Sequence, residues 1–240
     1  MFLNPALGAA LDRISERAED VRRAFTPGSV ARYDDVAVAR PSSEFTLDPL
    51  VVSAADGLYF VTRNERGEVS YTRDGSFTLR NGLLVDGEGE PIRGFAASGN
   101  ELCDLRIDAV DEALGRATDP QIERDGSFVY ARIAVDPRSG LRKTQRVVTG
   151  RIALARFPAG TRLETTDGSR CIPPPGVAPQ VAVAGGGNFP ALQPMHRGRS
   201  AINLDESLVK LNDAYIAFDA LRAAEQAKAN LGKTTMDLVK

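Results

Sequence analysis

The sequence predicts a mainly β central domain with N- and C-terminal α-helices that pair as a coiled-coil-like stalk. Two observations lead to this fold class. First, short apolar runs between residues 57 and 94 alternate with Asp-Gly and Asn-Gly pairs, which accept the positive φ of tight hairpin turns and therefore indicate a β-meander. Second, apolar residues near each end of the chain recur at alternating spacings of three and four, as in helices that pair along a seam.

The N-terminal helix is expected to begin at Asn4-Pro5, where Asn4 caps it and Pro5 takes the first helical position. It is expected to end at Thr26-Pro27-Gly28, which cannot continue a helix. Its apolar seam consists of Leu7, Leu11, Ile14, Ala18, Val21 and Phe25. Its charged face, expected to be solvated, consists of Asp12, Arg13, Glu16, Arg17, Glu19, Asp20, Arg22 and Arg23.

The C-terminal helix is expected to start after Asn203, an N-cap that forms a capping box with Glu206, and to continue to about Asn230 or beyond. Its seam consists of Leu204, Leu208, Leu211, Tyr215 and Phe218. A seam of period 3.5 needs a partner helix, and the helix at the other terminus is the simplest partner. The alternative is that each helix packs separately on the sheet.

These features divide the chain into five segments. They are an N-terminal helix (1–28), an extended arm (29–49), a β-rich domain (50–185), a linker (186–202) and a C-terminal helix (203–240). Further strands are expected within residues 92–107, within 121–130 around Asp125-Gly126, and within 147–157. The linker is inferred from runs of proline and glycine between Cys171 and Pro194, a composition that disfavours regular packing.

Composition excludes several functional classes. The 30 basic and 32 acidic residues give a net charge of −2, whereas nucleic-acid-binding proteins carry a basic excess. No apolar run approaches the roughly 20 residues of a membrane span, and the first residues lack the pattern of a cleaved signal peptide. Cys103 and Cys171 are interpreted as small apolar residues, with a bridge between them as the alternative.

No residue pattern indicates catalysis or metal binding. His196 is the only histidine, and no nucleophile elbow is present. The run Asp86-Gly87-Glu88-Gly89-Glu90 superficially resembles a calcium loop, but Pro91 and Ala97 stand where an EF-hand needs glycine and glutamate. A turn is therefore expected there. The basic residues Arg138, Arg142 and Lys143 are interpreted as solvated. The sequence predicts no enzyme, no cofactor and no small-molecule substrate.

The meander resembles a known family. Asp56-Gly57-Leu58-Tyr59-Phe60-Val61, Tyr71-Thr72-Arg73-Asp74-Gly75-Ser76-Phe77 and Gly82-Leu83-Leu84-Val85 are similar to the D-G-x-F-F, Y-T-R-x-G-x-F and G-x-L-V motifs of bacterial flagellar rod and hook proteins. Residues 150–157 resemble a later motif, G-x-I-x-L-A-x-F. The motif positions in this chain are Gly57, Phe60, Tyr71, Thr72, Arg73, Gly75, Phe77, Gly82, Leu84, Val85 and Gly94. The asparagine-rich stretch that the family carries after its first helix is absent, so the N-terminal motif is divergent.

The resemblance implies a structural subunit of the flagellar basal-body rod. In that family the terminal helices form an inner tube and the β domain faces outward, so copies assemble helically with each other and with other rod and hook proteins. The tube is the periplasmic drive shaft that transmits torque, and its subunits are exported by a type III apparatus without a cleaved signal peptide. The alternative is a monomeric β-rich binding module with no assembly role.

Overall fold

The computed structural model describes residues 5–25, 29, 43–107, 116–135, 140–161, 163–165, 170–200 and 202–238. The chain forms two compact units, one containing the two helices and the other containing all the described strands. The predicted mainly β fold with a helix toward each end is confirmed. Most of the predicted extended arm, residues 30–42, lies outside the described residues.

The helical unit contains α1 (Pro5–Arg23) and α2 (Leu204–Leu238). At 1.5 Å per residue, α1 is about 28 Å long and α2 about 52 Å. As predicted, α1 has Pro5 at its start and α2 continues beyond Asn230. The side chain of Asn203 accepts a hydrogen bond from the backbone N–H of Glu206 at 3.4 Å, which gives one half of the expected capping box.

Sixteen strands are described in the sheet unit. They are β1 (Ser43–Phe45), β2 (Val52–Ser53), β3 (Leu58–Arg63), β4 (Val69–Thr72), β5 (Thr78–Arg80), β6 (Leu83–Val85), β7 (Arg93–Ala96), β8 (Leu102–Asp104), β9 (Arg116–Ile122), β10 (Ser127–Val135), β11 (Arg142–Arg156), β12 (Glu164–Thr165), β13 (Arg170–Ile172), β14 (Gln180–Val183), β15 (Gln193–Pro194) and β16 (His196–Gly198).

Strand β11 organises the largest sheet. Its first half pairs with β10, and its second half pairs with β3, β7 and β14, all antiparallel. The strand expected within residues 147–157 begins earlier, at Arg142, and is continuous through Thr149-Gly150. Gly150 lies within it because a Cβ there would come 2.5 Å from the carbonyl oxygen of Phe95, so glycine allows β7 to pair closely.

The β-meander is present, with different roles for its glycines. Asn81 and Gly82, at φ 52° and 79°, form the predicted tight turn between β5 and β6. Gly75 does not adopt a positive φ. A Cβ on Gly75 would lie 1.8 Å from the carbonyl oxygen of Val52, so glycine is required there for close approach of two backbone segments.

A single main core lies under the sheets. Phe60 and Phe77, both from the meander, pack edge to face with ring centroids 5.0 Å apart. The fully buried large side chains are Tyr130, Phe60, Phe77, Phe128, Leu58, Leu84, Ile92, Leu105, Ile152, Leu154 and Leu192. The core therefore draws residues from most of the length of the sheet unit.

Residues 186–202 were expected to form a linker, and those up to Arg199 lie within the sheet unit. Phe189 and Leu192 are buried in the main core, and β15 and β16 pair with β2 and β1. The glycines here supply turns, since Gly185 and Gly187 have φ of 82° and 55°. The proline- and glycine-rich composition did not reveal these strands, because they are very short and β15 pairs with a partner about 140 residues away in the sequence.

Candidate assembly surfaces

The two helices pack against each other within the helical unit. A groove of about 570 Å³ runs between them, and half of the residues that line it are alanines. The lining residues are Ala6, Ala9, Ala10, Arg13, Arg17, Lys210, Asp213, Ala214, Ala217 and Leu221. Small side chains therefore line much of the groove, while Ile14 of the predicted α1 seam is buried.

On α2 the buried face is displaced from the predicted seam. Ser207 and Ala214 are buried, whereas Leu208 and Tyr215, the next residue in each case, are 46% and 50% exposed. One residue corresponds to a rotation of about 100° around a helix. Leu204, Leu211 and Phe218 are half-buried. Part of the predicted seam therefore faces away from α1.

The same displacement occurs on α1. Ile14 is buried, as expected of a seam residue, but Arg17 and Asp20 are also buried, which corrects the expectation that the charged face is solvated. Arg17 lies about 60° around the helix from Ile14. Leu7, Ala18 and Val21 are half-buried, while Leu11 and Phe25 are exposed.

Large apolar side chains remain exposed along α2. Leu208 and Tyr215 lie seven residues apart, as do Val209 and Ile216, so these four residues form one stripe along the helix. All four are between 46% and 59% exposed. We call them the α2 stripe. A contiguous apolar surface of this kind is typical of a protein–protein contact.

In the sheet unit the predicted motif glycines fulfil two backbone requirements. Gly57 and Gly82 adopt positive φ, at 74° and 79°. Gly75 and Gly94 lie where backbones approach closely, since a Cβ on Gly94 would come 2.4 Å from the carbonyl oxygen of Arg151. The backbone conformation of the sheet unit therefore requires glycine at all four positions.

The other motif positions build the core and its edge. Five of them, Phe60, Thr72, Phe77, Leu84 and Val85, are at most 2% exposed, and Tyr71 is 8% exposed. Arg73 forms an ion pair with Asp56 at 2.7 Å. The motif residues thus lie in backbone turns, in the core and at its edge.

Residues 55–130 match a family model described as the flagellar hook protein FlgE/F/G D1 domain. The predicted resemblance to flagellar rod and hook proteins is confirmed. The match covers about a third of the chain and includes all eleven motif positions. A comparison with curated proteins gave no match. The match supports a structural role in the flagellar rod or hook, because this family is structural and not enzymatic, and it implies a location in the flagellum together with other flagellar proteins.

A buried cation links a turn of the matched segment, residues 55–130, to a strand beyond it. Arg170 of β13 forms ion pairs with Asp86 at 3.1 Å, Glu88 at 2.8 Å and Glu90 at 2.5 Å. We call these four residues the Arg170 cluster. The carboxylates that resembled a calcium loop thus surround a guanidinium of the same chain. Asp86 also accepts backbone hydrogen bonds from Glu88 and Glu90, which closes the expected turn.

Two carboxyl groups of the matched segment have pKa values that are shifted in opposite directions. Burial raises the pKa of Glu90 above its ordinary value, while the Arg170 guanidinium acts in the opposite direction. Burial would also raise the pKa of Asp125, but hydrogen bonds from the backbone and hydroxyl of Ser127 outweigh it, and the pKa of Asp125 is lowered.

The candidate metal-binding and nucleophilic side chains are placed as follows. No group of three or more His, Cys, Asp or Glu side chains among them could hold a metal ion. His196 packs edge to face on Phe45 at 5.6 Å, and its Nδ1 lies 2.8 Å from the carbonyl oxygen of Pro194. Cys103 and Cys171 are not bridged. Within the described part of the chain, neither helix is long and apolar enough to cross a membrane.

Proposed function

We propose that the chain is a structural subunit of the flagellar basal-body rod. Copies assemble helically through their paired terminal helices and form the periplasmic drive shaft that transmits torque. The observation that carries the proposal is the α2 stripe, an exposed apolar surface on a helix pair that accompanies a flagellar D1 domain. Contiguous exposed apolar surface of this kind marks a site of contact with another molecule.

The geometry of the helix pair favours an open assembly. The face of α2 that carries Ser207 and Ala214 is covered within the chain, while the α2 stripe lies on a different face of the same helix. We propose that the stripe meets a different surface on the neighbouring copy. Contacts between unlike surfaces generate filaments when the rotation does not close. Leu11 and Phe25, exposed on α1, are the candidate counterpart.

The proposal includes a location and partners. The subunit lies in the basal body within the periplasm, next to other rod and hook proteins, after export by the flagellar type III apparatus. The proposed assembly interface comprises Leu7, Leu11, Ile14, Ala18, Val21, Phe25, Leu204, Leu208, Leu211, Tyr215 and Phe218. Among these, the exposed members are the ones available to a second copy.

The in vitro test uses the full chain. Leu208→Glu combined with Tyr215→Glu places two charges in the α2 stripe, and Ala220→Glu is the matched control at an exposed position of the same helix. Glutamate is a good helix former, so helical content should be kept in both variants, as circular dichroism can verify. We expect wild type and control to self-associate in sedimentation and light scattering, and the double variant to remain monomeric.

The in vivo test is a deletion strain. We expect loss of swimming and absent or truncated rods in isolated basal bodies, with rescue by the wild-type gene and no rescue by the double variant. Normal rods in the deletion strain, together with a wild-type protein that stays monomeric at all concentrations, would overturn the proposal in favour of a monomeric binding module.

A further inference from the structure

Strand β9 forms an outer edge of the largest sheet. Within the part of the chain that the structure describes, its only neighbouring strand is β10. It has seven residues, whereas the other edge strands of that sheet, β14, β8 and β12, have four, three and two. A long open edge presents a row of backbone N–H and C=O groups to any extended segment that meets it, and very short edge strands avoid this hazard. Of these four edges, β9 is therefore the one most exposed to strand addition.

A β-bulge interrupts β9 in its middle. The register of β9 against β10 shifts by one residue between Gln121 and Thr118, so Asp119 and Pro120 together stand opposite Tyr130. An extra residue of this kind bends the strand and increases its twist. The backbone groups before and after the bulge therefore do not form one straight edge.

The backbone conformation of the bulge is a costly one. Asp119 has a φ of 53°, which few residues other than glycine adopt, although aspartate is among the commoner exceptions. Pro120 also opposes this geometry, because a proline favours an extended conformation in the residue before it. Strained positions of this kind persist only where the surrounding structure maintains them, and they are concentrated at functional positions.

The outer side of the bulge lacks a hydrogen-bond donor. The N–H of Ile122 points away from β10, since it donates to the carbonyl oxygen of Pro49 at 3.1 Å. Backbone N–H groups of a strand alternate between its two sides, so position 120 would carry the next outward N–H, and proline has none. The exposed carboxylate of Asp119 adds a charge at the same point, which further disfavours pairing. Within β9, the uninterrupted outer edge is then residues 116–118, as short as β8.

We propose that Asp119-Pro120 blocks strand addition at β9, so that an edge strand of a second copy does not extend the largest sheet. The block costs stability in the single chain and preserves its solubility. It does not depend on the proposed function, because any concentrated solution of the protein brings such edges together. Where subunits assemble closely, the same block keeps neighbouring sheet units from merging through their edges.

Repair of the bulge tests the proposal. Deletion of Asp119 combined with Pro120→Val removes the extra residue and restores an N–H, while Thr118 and Gln121 keep their present faces. The full-length parent carries Leu208→Glu and Tyr215→Glu, so that association through the α2 stripe is blocked. We expect the repaired variant to have a urea midpoint no lower than that of the parent. It should nevertheless associate in sedimentation and show intermolecular β-sheet in infrared spectra.

A single substitution gives an independent measurement. Pro120→Val restores the outward donor but keeps the bulge, and it should raise the association constant of the parent about fivefold, the equivalent of one net backbone hydrogen bond. Pro158→Val makes the same replacement at an exposed position outside the strands, and it should leave the association constant unchanged.

The outcomes separate a block from a purely structural bulge. A repaired variant that is less stable than the parent and stays monomeric shows a bulge needed only for packing, which overturns the proposal. If the repaired variant does not fold, Pro120→Val decides, and an association constant equal to that of Pro158→Val overturns the proposal. Failure of the proposed function leaves this test unchanged, because each edge variant is compared only with its own parent.

Discussion

Replacement of Arg170 by methionine should destabilise the sheet unit severely and in a pH-dependent way. Methionine keeps much of the volume but removes the cation from Asp86 and Glu90, which are 6% and 19% exposed in their side chains. Breaking a buried ion pair by removal of one partner typically costs about 3–5 kcal/mol, because the remaining charges stay buried. Glu88 is 43% exposed and adds little to this loss.

The pH dependence follows from Glu90. Its pKa is raised in the folded wild type, and the loss of Arg170 removes the influence that lowers it. A carboxyl group whose folded-state pKa exceeds its unfolded value disfavours folding at neutral pH, and this penalty vanishes as the pH falls through the folded-state pKa. The free energy difference between wild type and Arg170→Met should therefore be large near about pH 7.5 and smaller near about pH 4.

The assay is urea denaturation at both pH values. Because the chain has no tryptophan, far-UV circular dichroism or tyrosine fluorescence is the suitable signal. Arg146→Met, which removes an exposed ion pair with Glu123 at 2.7 Å, is the control and should change little at either pH. The reasoning would be refuted if the two variants lost equal amounts of unfolding free energy. It would also be refuted if the loss of unfolding free energy in Arg170→Met were as large at acid pH as at neutral pH.

Three further predictions concern single positions. Gly75→Ala should lower the free energy of unfolding, measured by urea denaturation, by about 3 kcal/mol or more, because its Cβ would overlap a backbone carbonyl. Gly99→Ala should leave the free energy of unfolding unchanged, because the nearest atom to its Cβ would be 3.9 Å away. Asp125→Asn should lose stability at neutral pH and match wild type in acid, since the contribution of Asp125 disappears as the pH falls through its lowered pKa; urea midpoints at two pH values check this. His196→Ala should leave self-association unchanged in light scattering.

The features that the sequence predicted well depend on local backbone chemistry. The turn at Asn81-Gly82 and the start of α1 at Pro5 were predicted correctly, because positive φ and helix initiation are determined by the residues themselves. Of the motif glycines, Gly57 belongs to the same class because it adopts a positive φ, whereas Gly75 and Gly94 are required by close approach of distant backbone segments. The motif positions on which the family resemblance rested all lie within residues 55–130, which the family model matches.

The features that the sequence could not give depend on distant partners. Nothing in the sequence around Arg170 indicated that it forms a buried ion pair, because its partner Asp86 lies 84 residues away and contacts it only in the folded sheet. Leu192 looked like part of a linker since its neighbours are proline and glycine, although it is buried in the core. Arg17 was placed on a solvated face because helical periodicity shows which residues share a side but not what covers that side.

The pairing of Ser43 with Gly198 brings the two strands that bound the sheet unit side by side. The segment by which the chain enters β1 and the segment by which it leaves β16 therefore lie next to each other. The residues between these two strands can change in number without altering the distance between the two segments.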